Sequence, residues 1–231
     1  MGIFISFEGG DGTGKSTQVE LLSARLVAMG HHVVCVQEPG GTDLGDNLRE
    51  YLKATDRPLT PEAELFLFVA ARSELVRRVI RPALNEGSIV IADRYADSTT
   101  AYQGFGRRVS MKQVNNANQL ATDGCWPDLS ILLDVPPELG LDRTRITPLS
   151  GAHEGREEDP DNRRFEEAGV QFHKRVYDGY RRIVASDPTR WLIIDARASV
   201  EKVSSIIWAR VEPALRVDSK PVDHSRRLPG L

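Results

Sequence analysis

Five short apolar runs recur along the chain, separated by stretches whose apolar residues return every three or four positions. Ile3 to Phe7 is the first, rich in β-formers and ended by Gly9-Gly10. Val33 to Val36, Ser88 to Ala92, Asp128 to Asp134 and Trp191 to Ile194 follow. Runs of this length bounded by turn residues read as buried strands. Between the first two, Val19, Leu22, Leu26 and Met29 mark one face of a helix that Gly30 stops. A helix over Asp46 to Leu52 comes after the turn Pro39-Gly40-Gly41. Thr60-Pro61-Glu62 then opens a longer one, with Thr as cap, Pro at the first position and acid in the first turn. Its later face, Val76, Val79, Ile80, Ala83 and Leu84, is interrupted by Pro82, which predicts a kink or a loosened turn before Gly87. Further helices are predicted near Lys112 to Ala121, over Glu166 to Val184 with Phe172, Val176, Tyr180 and Ile183 on one face, and around Val200, Val203 and Ile207.

Strands alternating with helices need crossover connections, so the pattern predicts an α/β fold whose parallel sheet is covered on both faces. Two segments break the rhythm. Pro148 to Asp161, rich in Gly, Pro and acid, reads as a mobile loop, and Arg216 to Leu231 reads as a disordered tail. A single domain over residues 1–215 accounts for the remainder.

Composition narrows the chemistry. With 30 Lys and Arg against 33 Asp and Glu, the net charge is −3. That balance gives no general attraction toward nucleic acid or an anionic membrane, so any anion site must be local. Two cysteines, Cys35 and Cys125, are too few for a disulfide scaffold or a self-contained zinc site. Cys35 lies inside an apolar run, which predicts a buried thiol. No run approaches the roughly 20 apolar residues of a membrane span. The N-terminus lacks the basic start of a signal peptide. Met1-Gly2 with Ser6 opens a loose myristoylation pattern, but a strand over Ile3 to Phe7 would hide that glycine. The expected location is the cytoplasm.

Gly9-Gly10-Asp11-Gly12-Thr13-Gly14-Lys15-Ser16 fits G-x-x-x-x-G-K-[ST], and it follows a strand and opens a helix. Glycines let the backbone curl so that its N–H groups point at a polyphosphate, and the helix N-terminus adds partial positive charge. Lys15 would reach the outer phosphates, and the Ser16 hydroxyl can ligate Mg²⁺. The motif identifies a nucleoside-triphosphate site without naming the acceptor. Asp93 ends the third run, where a carboxylate can hold Mg²⁺ directly or through water; the weaker alternative is a helix cap. Phe68 and Arg72, four apart, share a helix face. On their own, Phe68 reads as core and Arg49 as a solvated helix charge.

Together with Phe7-Glu8-Gly9, the motifs Glu38-Pro39-Gly40-Gly41-Thr42, Asp93-Arg94-Tyr95 and Ser98-x-x-Ala101-Tyr102-Gln103-Gly104 resemble the bacterial thymidylate kinases, from about residue 3 to residue 210. The resemblance implies a P-loop kinase fold. Its five-stranded parallel sheet takes the order 2-3-1-4-5, with helices on both faces and an arginine-bearing lid over about residues 143–165. It implies Mg²⁺-dependent transfer of the ATP γ-phosphoryl group to dTMP, giving dTDP and ADP, by a homodimer. Arg94 would contact the acceptor phosphate and the transferring group, and Arg49 the acceptor phosphate. Phe68 would stack on thymine while Arg72 donates to its carbonyl edge. Asp11, an odd neighbour for phosphates, would accept the sugar 3′-hydroxyl. Glu38, Ser98 and Gln103 would line the acceptor site, and Tyr102 would crowd the sugar 2′ position. The acceptor phosphate has a second pKa of about 6, so it needs charge neutralisation and alignment rather than a general base. Among Arg143, Arg145, Arg156, Arg163 and Arg164, the run Arg163-Arg164-Phe165-Glu166 is similar to the family's lid motif with Arg163 in place of an acid. Arg164 and Arg143 are the candidates for transfer, and Arg156 stays open. Some family members carry the extra arginine in the cradle, where this chain has Gly12. Gln37 stands where the family often has Arg.

Overall fold

A computed structural model of the chain describes residues 2–53, 58–146 and 169–216. Five strands, β1 (Phe4–Glu8), β2 (Val33–Gln37), β3 (Ile89–Asp93), β4 (Leu129–Asp134) and β5 (Trp191–Asp195), form one sheet. All its pairings are parallel and the order is β2-β3-β1-β4-β5, as the resemblance implied. The helices are α1 (Lys15–Ala28), α2 (Asp43–Lys53), α3 (Pro61–Leu75), α4 (Arg81–Asn85), α5 (Ala96–Thr99), α6 (Met111–Thr122), α7 (Pro137–Ile146), α8 (Val170–Ser186) and α9 (Val200–Arg216).

Alternation along β1 sorts the two faces. Ile5 and Phe7 join Ile91, Ile131 and Leu133 beneath α1 and α9, where Leu22, Leu26, Val203 and Ile207 cover them. Phe4 points the other way and packs with Val90, Ala92, Leu75, Val76 and Ile80. Ser6 and Glu8 share that second face. Ser6 is satisfied there by Ser130, the two hydroxyl oxygens lying 2.9 Å apart. Over β4 the second face is closed by α8, whose Phe172, Val176, Tyr180 and Ile183 pack on Leu132 and Trp191. Those four are the residues whose spacing predicted an inward face.

Two expectations need correction. Met29 is 52% exposed, because α1 ends at Ala28 and Met29 is its C-terminal cap. Cys35 is exposed, not buried: β2 is an edge strand, and Val33 and Val34 beside it are only half-buried. At Pro82 the loosening that was expected is present. A π-helical turn over Val76–Ile80 lets the Arg81 N–H donate to the Val76 carbonyl, and Pro82 follows in the first turn of α4. Ser98 to Phe105 spans the end of α5 and a second π-helical turn, Thr100–Gly106. The expected loop over Pro148 to Asp161, the first residues of the helix predicted from Glu166, and the tail beyond Arg216 lie outside the described residues. Gly2 is tied down by its N–H, which donates to the Leu84 carbonyl at 2.8 Å. Among the described residues no helix is long and apolar enough to cross a membrane.

The connection from β1 passes over β3 to reach β2, whereas the one from β3 crosses β1 to reach β4. Chain direction therefore reverses around β1 and β3, and the loops leaving their carboxyl ends splay apart. Ligands of open α/β sheets bind in such a crevice.

Candidate active site

The crevice begins with the cradle. β1 ends at Glu8, the backbone curls through Gly9 to Gly14, and α1 starts at Lys15 with no side chain capping its first N–H groups. A helix that leaves those donors free is an anion site in waiting. Gly12 has φ +68°, and a Cβ there would lie 2.1 Å from the Gly140 carbonyl oxygen of α7. The cradle thus packs backbone to backbone on α7, and only a residue without a side chain fits.

Lys15 is buried, and its Nζ donates to the Gly10 carbonyl at 2.7 Å. Burial, reinforced by the charge of Arg94, pushes its pKa down to about 8. The next residue reaches across to β3: Ser16 Oγ donates to Asp93 Oδ2 at 2.7 Å. Register explains the meeting. Phe7 pairs with Asp93, so the carboxyl ends of the two strands lie within a residue of the same height.

Arg94, just past β3, takes φ +71°, unusual for a residue with a side chain. Its N–H donates to the Phe7 carbonyl at 3.0 Å. Its Nη1 donates to the Gly9 carbonyl at 2.9 Å, and its Nη2 donates to Asp11 Oδ1 at 2.5 Å and to the Tyr102 hydroxyl at 3.1 Å. Tyr102, which burial keeps protonated, donates in turn to Asp11 Oδ1 at 3.2 Å. Asp11 Oδ2 is buried without a hydrogen-bond partner among the described residues, and His173 Nδ1 lies 4.0 Å away.

A cavity of about 250 Å³ runs from the cradle to α3. Asp11 to Ser16 of the cradle, Asp93 and Arg94 line it, and so do Phe68 and Arg72 of α3. Glu38, Arg49, Ser98, Tyr102 and Gln103 line it as well. The sequence-predicted residues of the cradle and of α3 are therefore brought together in one cavity. Gly9 and Gly10 stand behind this wall, offering carbonyls to Arg94 and Lys15. Phe68 is half-buried and part of the wall rather than core.

Arg72 is almost wholly engaged by protein. Its Nε donates to Glu38 Oε2 at 2.8 Å, its Nη2 to Glu38 and to Thr99 Oγ1, and its Nη1 to Asn118 Oδ1 at 2.8 Å. A guanidinium has five N–H donors, so one Nη1 hydrogen remains. Ser98 donates to Glu8 at 2.6 Å, and Gln103 Nε2 donates to Glu64 at 2.9 Å. Arg49 Nη1 donates to the Pro39 carbonyl at 2.8 Å, holding the side chain along the wall.

Arg143 is not brought to the phosphate end. It is absent from the cavity wall, and its Nη1 donates at 3.1 Å to the carbonyl of Ala196, just past β5. Arg156, Arg163 and Arg164 lie outside the described residues. Sequence reasoning also missed Glu64, Thr99 and Asn118, which fix cavity side chains, and Thr144, which lines the cavity beside Gly12. Their residue types carry no pattern, and only tertiary contact reveals them.

Comparison with known proteins decides the family. A sequence model of the thymidylate kinase family matches residues 7–207. The thymidylate kinase of Synechococcus sp. (strain JA-3-3Ab) is 45% identical over 213 residues, 92% of this chain and 97% of its own. That of Thermomicrobium roseum is 44% identical over 216 residues, 94% of this chain and 97% of its own. The chain belongs to the thymidylate kinase family. A crystal structure of thymidylate kinase from Ehrlichia chaffeensis superposes with a TM-score of 0.68 at 31% identity, covering 93% of this chain and 98% of that one. This member of the thymidylate kinase family carries Gln37 beside the cavity. With its amide oxygen turned toward Arg49, Gln37 accepts from Nη2 at 2.7 Å, the orientation that satisfies both groups.

Proposed function

We propose that the chain transfers the γ-phosphoryl group of ATP to dTMP with Mg²⁺, giving dTDP and ADP, and that the residues of the cavity divide the work. The observation that carries the reading is one cavity lined both by the phosphate cradle and by Phe68 and Arg72. The cradle's N–H groups and Lys15 hold the triphosphate. Arg94 exchanges its bond to Asp11 for the phosphates, between which it stands. Phe68 stacks on the base, and the remaining Nη1 hydrogen of Arg72 meets a base carbonyl, with Glu38 fixing the guanidinium plane. Tyr102 closes the space at the sugar. Asp11, whose Oδ1 serves Arg94 and Tyr102, reaches a sugar hydroxyl by sharing that oxygen or by turning Oδ2 outward.

Ser16 Oγ and Asp93 Oδ2, 2.7 Å apart, are the hard oxygen donors that Mg²⁺ prefers, so the residues fit the ion. Bound there, it would neutralise phosphate charge. Arg164 is kept as a lid cation on the strength of the family motif alone. The setting is cytoplasmic. The assembly is a homodimer, supported by Phe66 of α3 and Leu120 of α6, which are 64% and 74% exposed on helices that pack together.

A coupled ADP-release assay across the common nucleoside monophosphates, with and without Mg²⁺, tests the reading. It predicts turnover that is greatest with dTMP and lost on chelation. Faster turnover of UMP or dCMP would overturn the acceptor assignment. Sedimentation of the free protein tests the dimer.

A further inference from the structure

Glu8 ends β1 directly behind the cradle, and none of the roles above uses it. The residue is 0% exposed, and its carboxyl is met by three neutral donors and by no ion pair among the described residues. Oε1 accepts the Tyr95 N–H at 2.9 Å. Oε2 accepts the Ser98 hydroxyl at 2.6 Å and the Tyr180 hydroxyl at 3.0 Å. These donors are placed with purpose. The Tyr95 N–H belongs to the peptide that follows Arg94, whose left-handed φ of +71° must be held by its surroundings. Ser98 Oγ also lies 3.4 Å from Arg94 Nη1, standing between carboxyl and guanidinium. Tyr180 brings in α8.

We propose that Glu8 is a positioning residue for phosphoryl transfer: it fixes the turn that aims Arg94 at the phosphates, and it acts as a hydrogen-bonding carboxyl rather than as a counter-ion. The proposal rests on the assignment of Arg94 to the transferring phosphates. Charge supports the second half. Burial, and next the charge of Asp97, push the Glu8 pKa up to about 8, so near neutrality the group is mostly uncharged. A carboxylate anion behind the cradle would oppose the entering polyanions, and a neutral acid does not. The network tolerates the proton, because Ser98 Oγ and Tyr180 OH lie 2.9 Å apart and each can donate or accept.

Kinetics of Glu8→Ala, Glu8→Gln, Arg94→Ala and the double variant Glu8→Ala/Arg94→Ala test this, with dTMP saturating, ATP varied and folding checked by circular dichroism. Glu8→Ala should lower kcat about 30-fold while KM for ATP stays within about threefold, since a misaimed catalytic group costs rate before binding. Glu8→Gln, which keeps the acceptor for Tyr95 and donates to both hydroxyls, should recover most of that loss. On the Arg94→Ala background, Glu8→Ala should cost less than about threefold, because a residue acting through Arg94 has nothing left to aim. A folded Glu8→Ala with normal kcat, losses that multiply with Arg94→Ala, or Glu8→Gln as poor as Glu8→Ala would each overturn the proposal. Near-normal kcat in Arg94→Ala would instead sink the assignment of Arg94 itself. If Glu8→Ala does not fold, Ser98→Ala is read by the same cycle: at least about a fivefold fall in kcat, absorbed by Arg94→Ala, is expected, and an unchanged kcat overturns.

Discussion

Glu38 and Arg72 form an ion pair sealed inside the protein, with 4% and 1% of their side chains exposed. Two parallel N–H donors of the guanidinium face the carboxylate, and Asn118 and Thr99 take two of the remaining donors. Breaking such a pair from one side strands an uncompensated charge, at a cost of about 3–5 kcal/mol. Glu38→Ala and Arg72→Met should therefore each lower the free energy of unfolding, read from urea titration, by an amount in that range. Combined, they should cost clearly less than the sum. Additive losses would mean that the two groups are not each other's main partner.

Phe68 offers a cleaner separation of binding from stability, because it is a wall residue. Stacking of a base on an aromatic ring contributes about 1–3 kcal/mol. Phe68→Ala should raise KM for dTMP by about five- to 150-fold, leave KM for ATP within about twofold, and change the unfolding midpoint little. Equal effects on both substrates would place the base elsewhere.

The contrast between Phe68 and Met29 shows what the chain pattern could convey. Strand runs were legible because parallel strands buried on both faces are nearly continuous in apolar residues. All five fall within a residue or so of the runs read from the chain, although their order came from resemblance. Helical faces were legible where packing is two-sided, as at Phe172, Val176 and Tyr180. Burial was misread where an element ends or lies at an edge, as at Met29 of α1 and Cys35 of β2, since exposure there depends on what the rest of the chain leaves uncovered. For the site, Lys15, Ser16 and Asp93 were readable because phosphate chemistry dictates residue types at fixed spacing. Phe68 was not readable from burial statistics, and neither was the direction of Arg143, whose guanidinium meets the Ala196 carbonyl. Glu64, Asn118 and Glu8 act by tertiary contact alone.

Gly12 and Gly140 make a prediction that turns on a single methyl group. A Cβ on Gly12 would stand 2.1 Å from the Gly140 oxygen, and one on Gly140 would stand 2.4 Å from the Asp11 oxygen. Both contacts are with backbone, which cannot swing aside. Overpacking of this kind costs about 1–3 kcal/mol, and Gly12 adds the strain of a positive φ. Gly12→Ala and Gly12→Arg should both lower the unfolding midpoint and weaken ADP binding in calorimetry. A Gly12→Arg variant that retained full stability and activity would show that α7 can withdraw, leaving room for an arginine in the cradle.

Ser16 and Asp93 give the metal prediction. Asp93→Asn keeps the size of the side chain and removes its charge. The variant should need a higher Mg²⁺ concentration for half-maximal rate and should lose about 10²–10³ in kcat, the usual cost of removing one electrostatic element from a transfer site. The check is a Mg²⁺ titration of rate for wild type, Asp93→Asn and Ser16→Ala. An unshifted titration in both variants would remove these two residues from metal binding.

Two buried groups with displaced pKa values set opposite slopes on stability against pH. Glu8 titrates at about 8 in the folded protein and at 4.5 unfolded. Between those values the folded state holds a proton that the unfolded state has released, so the Glu8 contribution is complete below pH 4.5 and fades as pH climbs to about 8. Lys15 titrates at about 8 folded and 10.5 unfolded. Between those values the unfolded state holds the extra proton, and stability rises with pH. The ligand-free protein should therefore show, from these two groups, a stability minimum near pH 8. Urea midpoints measured from pH 5 to pH 10 check it through differences, which cancel the other titrating groups. Wild type should lose ground against Glu8→Gln as pH rises toward 8, and should gain on Lys15→Met above it. A flat first difference would mean that Glu8 is already ionised in the folded chain, and a flat second would mean that Lys15 keeps its proton there without help from phosphate.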